Sequence, residues 1–99
     1  MSAEAAARQA ALRALDRLIE VAPPSTVEEA MQALQSVVAL RDLQVARRRA
    51  EGATAEIDRH LACTNAVLSL TWSGAVPIMG FRTERLKEAR AALAGCDAA

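Results

Sequence analysis

The stretch STVEEAMQALQSVVALRDLQVARRR, residues 25–49, decides the fold. It opens with two overlapping capping boxes, Ser25 with Glu28 and Thr26 with Glu29, in which a hydroxyl and a carboxylate satisfy amides that have no partner inside a helix. Pro23-Pro24 stands just before it and ends whatever helix precedes, because proline lacks the amide donor and biases the residue ahead of it away from helical geometry. From the capping boxes onward, Val27, Met31, Leu34, Val38 and Val45 recur at helical spacing, and Ala33, Val37, Leu40 and Leu43 widen that face. The polar strip left over is thin: Glu28, Gln32, Gln35, Asp42 and Arg49. A helix apolar over so much of its circumference has to be covered on more than one side, by its own domain or by a second copy.

Working outward, Ser2 caps a first helix that carries Glu4 in its opening turn and Leu12, Leu15, Ile19 and Ala22 along one stripe. After the central helix, Gly52 marks a break, and a third helix presents Ile57, Leu61, Leu68 and Trp72 on one face and Cys63, Val67 and Leu70 on another. Between those faces runs a ladder of small residues, Ala62, Ala66, Ser69 and Ser73, of the kind that lets a neighbouring helix approach closely. Thr83 starts a final helix with Leu86, Ala89, Ala92 and Leu93 at helical spacing, closed by Gly95. The expected fold is therefore all-α, a small bundle of about four helices over residues 2–22, 26–51, 54–72 and 83–94, forming a single domain over 1–99, with dimerisation as one way to complete it.

Composition agrees. Alanine fills roughly a quarter of the positions and Trp72 and Phe81 are the only aromatics, which favours close helix packing over a sheet. A chain of 99 residues supports one core and buries about two-thirds of the surface its unfolded form exposes.

The same numbers limit function. Lys and Arg total 12, Asp and Glu total 12, and the net charge is zero, so no global field attracts nucleic acid or an anionic membrane. Cys63 and Cys96 lack the spacing of a zinc ribbon or a CxxC pair, and a small secreted scaffold usually carries more cysteines, which points to a reducing, cytoplasmic setting. No signal segment is visible at the amino terminus. Between Arg59 and Arg82 there is no acidic or basic residue apart from His60, yet Thr64, Asn65, Ser69, Thr71, Ser73, Gly74 and Pro77 interrupt the run, so a buried core helix is expected and not a membrane span.

Three groups are candidates for sites. Asp58, His60 and Cys63 share a helical face but fall short of the four ligands a structural zinc wants, so no metal, cofactor or catalytic residue is assigned. Leu61-Ala62-Cys63 lacks the lysine and glycine that phosphotransfer bundles place just after their histidine, and His60 reads as a structural residue. Arg47, Arg48 and Arg49 concentrate positive charge, but consecutive helical positions fan across about 200° and cannot all meet one phosphate backbone. Glu51, Glu56 and Asp58 stand near enough to neutralise them in part. Asn65 is either a buried group that fixes register or a residue facing water.

The segment 73–81 carries Val76, Ile78, Met79 and Phe81 where a connection normally carries polar residues. It serves as a lid over the bundle end or as an apolar anchor for a partner. The expectation is a non-enzymatic interaction module of adaptor, chaperone or inhibitor type, with a protein partner or a second copy held at Met31, Leu34, Val38, Arg41, Val45, Trp72, Pro77, Ile78, Met79 and Phe81. Short arginine-rich, lysine-poor chains of this kind are common among bacterial and phage accessory proteins. The alternative is a small nucleic-acid-binding regulator using Arg47, Arg48 and Arg49.

Overall fold

In the computed structural model, residues 2–20, 26–78 and 83–95 are described. They form α1 (Ala3–Glu20), α2 (Val27–Glu51), α3 (Ala55–Thr71), a two-stranded hairpin of β1 (Trp72–Ser73) and β2 (Val76–Pro77), and α4 (Thr83–Gly95). The helices pack in a closed ring: α1 lies on α2, α2 on α3, α3 on α4, and α4 returns to α1. The molecule measures 40 × 26 × 23 Å, and α2, about 37 Å long at 1.5 Å per residue, spans nearly the whole long axis.

The helix ends follow the local chemistry. Ser2 Oγ accepts from the Ala5 amide at 3.1 Å, Thr26 Oγ1 from the Glu29 amide at 3.1 Å, and Thr54 Oγ1 from the Ile57 amide at 3.2 Å. Ser25 and Ala22 lie outside the described residues, so the second capping box and the last position of the first stripe do too. The break after α2 falls at Gly52, whose φ of 90° and ψ of 176° suit a residue without a side chain, and whose amide donates to the Arg48 carbonyl at 2.9 Å.

The core joins all four helices. Ala11, Leu15 and Leu18 from α1 meet Leu34, Val37 and Leu40 from α2, Val67 from α3, and Leu86, Ala89 and Leu93 from α4. The buried side of α2 is Ala30, Leu34, Val37, Leu40 and Gln44. This is a rotation of roughly 90° from the face through Val27, Met31, Leu34, Val38 and Val45, since each residue turns the helix by about 100°. Val27, Met31 and Leu43 are exposed as a result.

On α3 the residues facing inward are Ile57, Thr64, Val67 and Thr71, while Leu61 and Leu68 are only half-buried. Both threonines turn their hydroxyls back onto the preceding turn: Thr64 donates to the His60 carbonyl at 3.1 Å and Thr71 to the Val67 carbonyl at 2.8 Å. Each then presents mainly its methyl group to its neighbours. The small-residue ladder Ala62, Ala66, Ser69 and Ser73 faces water and brings no helix close, and Asn65 is exposed as well.

The segment after α3 is not a plain loop. Trp72 pairs with Pro77 and Ser73 with Val76 around a two-residue turn, in which Gly74 has a φ of 65°. The Ile78 amide donates to the Thr71 carbonyl at 2.9 Å, continuing the ladder one step beyond the assigned strands. Antiparallel pairs alternate between bonded and non-bonded, so Pro77 occupies a position where no amide is required. β2 lies against α2, and Pro77 is buried there.

Cys63, half-buried on α3, is disulfide-bonded, a state that the expected reducing setting did not include. Cys96 lies outside the described residues.

Candidate interaction surface

Two constructions lie at the margin of the core, one charged and one apolar, and Trp72 of the apolar one also packs against the core. The charged one gathers at the end of the bundle where α1 begins, α2 ends and α3 begins. Arg47 donates to Glu4 Oε2 and to Glu51 Oε2, each at 3.2 Å, and lies 3.6 Å from Glu56. Burial lowers the pKa of the Arg47 guanidinium, but the hydrogen bonds and charges of Glu4 and Glu51 outweigh that and hold it above its ordinary value. His60 Nδ1 is 3.8 Å from Glu4 Oε1, and both atoms are buried without a hydrogen-bond partner among the described residues. Arg48 donates to Asp58 at 2.9 Å. The cluster ties three helix ends together, and it takes up Arg47 and Arg48. Of the basic concentration, Arg49 remains exposed on α2, with no ionic partner among the described residues.

The apolar construction lies where α2 meets the hairpin. Rotation of α2 toward the core by Leu34 and Val37 leaves Met31 and Val38 on its flank, and β1 brings Trp72 alongside them. Together with Thr26, Glu28, Glu29, Gln32 and Gln35 they line an open groove of about 690 Å³. Met31 is 45% exposed, and Trp72 is half-buried with an indole nitrogen that has no hydrogen-bond partner among the described residues. Val76 on the hairpin is 49% exposed and Val27, one turn before Met31, is 41% exposed. For large apolar side chains these are high values, and they concentrate at the hairpin and the first turns of α2.

The residues expected to grip a partner divide. Met31, Val38 and Trp72 come together in the groove. Val45 is half-buried two turns beyond Val38, and Arg41 is half-buried with its guanidinium 3.3 Å from Asp42. Ile78 is half-buried and packed against the core. Leu34 and Pro77 are corrections: both are buried, Leu34 because it faces the α1 and α4 side chains of the core and Pro77 because β2 lies on α2, so neither can reach a partner. Met79 and Phe81 lie outside the described residues. Sequence reading missed Val76 as an exposed residue and the groove's polar margin, Gln32 and Gln35, which looked like an ordinary solvated strip.

Asp58, His60 and Cys63 do not assemble as a site: Asp58 is held by Arg48, His60 turns to Glu4, and Cys63 is committed to its disulfide. Among the described residues no group of His, Cys, Asp and Glu is arranged to hold a metal ion, and no helix is long and apolar enough to cross a membrane.

Fold and surface together define a four-helix bundle with an apolar groove between its longest helix and a short hairpin. Comparison with protein-family models, curated proteins and solved structures gives no match.

Proposed function

We propose that this protein is a non-enzymatic interaction module, an adaptor, chaperone or inhibitor of the accessory type, whose groove along α2 receives an amphipathic helix. The single observation that carries the reading is Met31, nearly half exposed, beside Val38 and Trp72 in an open groove. Methionine and tryptophan side chains contribute more to association than their number suggests, because one adapts its shape and the other brings a large rigid surface. The lining runs from Thr26 to Val38, about 18 Å of helix, which suits three turns of a partner helix anchored at helical spacing. Glu28 supplies negative charge to the lining and has no ionic partner among the described residues, so the matching helix carries lysine or arginine beside its apolar face.

The test is a photo-reactive amino acid placed at position 31 in the native host, with the same probe at exposed Ala91 on α4 as the comparison. A discrete polypeptide adduct at position 31, absent at 91 and lost when Gln35 is replaced by a bulky tryptophan, is the expected result. Equal labelling at both positions, or none at 31, would refute the reading.

A further inference from the structure

The outward strip of α2 repeats every seven residues. Glu28, Gln35, Asp42 and Arg49 follow one another along its length, all exposed, and the line drifts only about 20° per repeat. On the hairpin side it is flanked by Met31, Val38 and Val45, also seven apart. The opposite flank carries Gln32 and then the exposed small residues Ala39 and Ala46.

This order of charges is self-complementary in one direction only. In a parallel pair of α2 helices each residue meets its own copy, which sets Glu28 on Glu28, Asp42 on Asp42 and Arg49 on Arg49. In an antiparallel pair whose twofold axis passes between Val38 and Ala39, residue i meets residue 77 − i by simple reflection of the numbering, so Glu28 meets Arg49 and Gln35 meets Asp42. Neither Glu28 nor Arg49 has an ionic partner within its own chain among the described residues. The two charge contacts are about 31 Å apart along the helix, near the two ends of the pairing.

The same twofold axis brings like flanks together. Met31, Val38 and Val45 of one copy then face the same three residues of the other, with Met31 lying across from Val45 and Ala46, and the hairpin of each copy stands on that side. The alanine flanks meet on the other side, where small side chains permit close approach. The geometry points to a second copy of this chain as an occupant of the α2 face: an isologous, antiparallel α2 to α2 dimer, closed at its ends by Glu28 to Arg49 pairs. This rests on the interaction reading above and names the partner helix as α2 itself.

Charge reversal tests it without disturbing the fold, since both residues are exposed; far-UV circular dichroism of each variant checks this. By sedimentation equilibrium the wild-type chain is expected to dimerise, while Glu28→Arg and Arg49→Glu each weaken association by about tenfold or more through like-charge contacts. An equimolar mixture of the two single variants restores the dimer, because every contact in the mixed pair again joins opposite charges, and the double variant restores it too. A wild-type chain that stays monomeric at its highest soluble concentration overturns the inference. So does a dimer indifferent to both single reversals, or a mixture that fails to recover. In each of these cases an adduct at position 31 with another polypeptide leaves the interaction reading standing.

Discussion

At the scale of single residues, the fold tolerates polar groups in its core by different means, and they are not equally satisfied. Thr64 and Thr71 each bond a carbonyl one turn back, so their burial leaves no hydroxyl unpaired. Gln44 is 2% exposed and its Oε1 finds no hydrogen-bond partner among the described residues. An unpaired buried amide oxygen is destabilising, whereas an apolar side chain of similar volume gains from the same burial. Gln44→Leu is therefore expected to raise stability by about 1 kcal/mol in urea denaturation; a loss of that size would mean that the amide is satisfied in solution. None of this was legible in the sequence, where Gln44 stands between Leu43 and Val45 with Arg41 and Arg47 three positions away and gives no sign of facing inward. The groove residues were half legible for a related reason: α2 is apolar on most sides, so spacing identified Met31 and Val38 but could not say that Leu34, one turn from each, faced the core.

At the scale of elements, the helices were readable because their ends are written in local chemistry. Hydroxyl caps at Ser2, Thr26 and Thr54 set boundaries that tertiary packing did not move, and the break at Gly52 falls where expected. Thr26 is the clearest instance. Thr26→Ala removes the acceptor for the Glu29 amide and is expected to cost about 1 kcal/mol, measured as a lower denaturation midpoint with unchanged slope, while Thr26→Ser retains most of the stability. The hairpin was unreadable because two-residue strands carry no periodicity. Its signal was a conflict instead: apolar residues at 76 and 78 in a connection, with a glycine two positions before the first. Rotation of α2 escaped for want of contrast, since a helix with apolar residues on several faces can settle its inward side only against its neighbours.

At the scale of the whole molecule, the bundle places its charged lock and its apolar groove at different points of the long central helix. Arg47, near the carboxyl end of α2, is spent on holding α1 and α3 through Glu4, Glu51 and Glu56. Met31, near the amino end, is left with little cover. This division explains why excess hydrophobicity in the sequence foretold a surface without locating it: total apolar content is a property of the chain, but its surplus is exposed only where the ring of helices leaves a flank uncovered.

The closed ring also carries a temporal meaning. Three of its four seams join helices consecutive in the chain, so their formation closes short loops, whereas α1 and α4 meet across a separation of 74 residues at the Asp16 to Arg90 contact. Loop closure of that length is entropically the hardest step, and the transition state is expected to assemble α2 with α3 before α4 docks on α1. Leu93, buried on α4, then belongs to a late seam: Leu93→Ala should accelerate unfolding in stopped-flow measurements and leave the refolding rate nearly unchanged. A refolding rate that falls in step with stability would place the α1 to α4 seam in the nucleus instead.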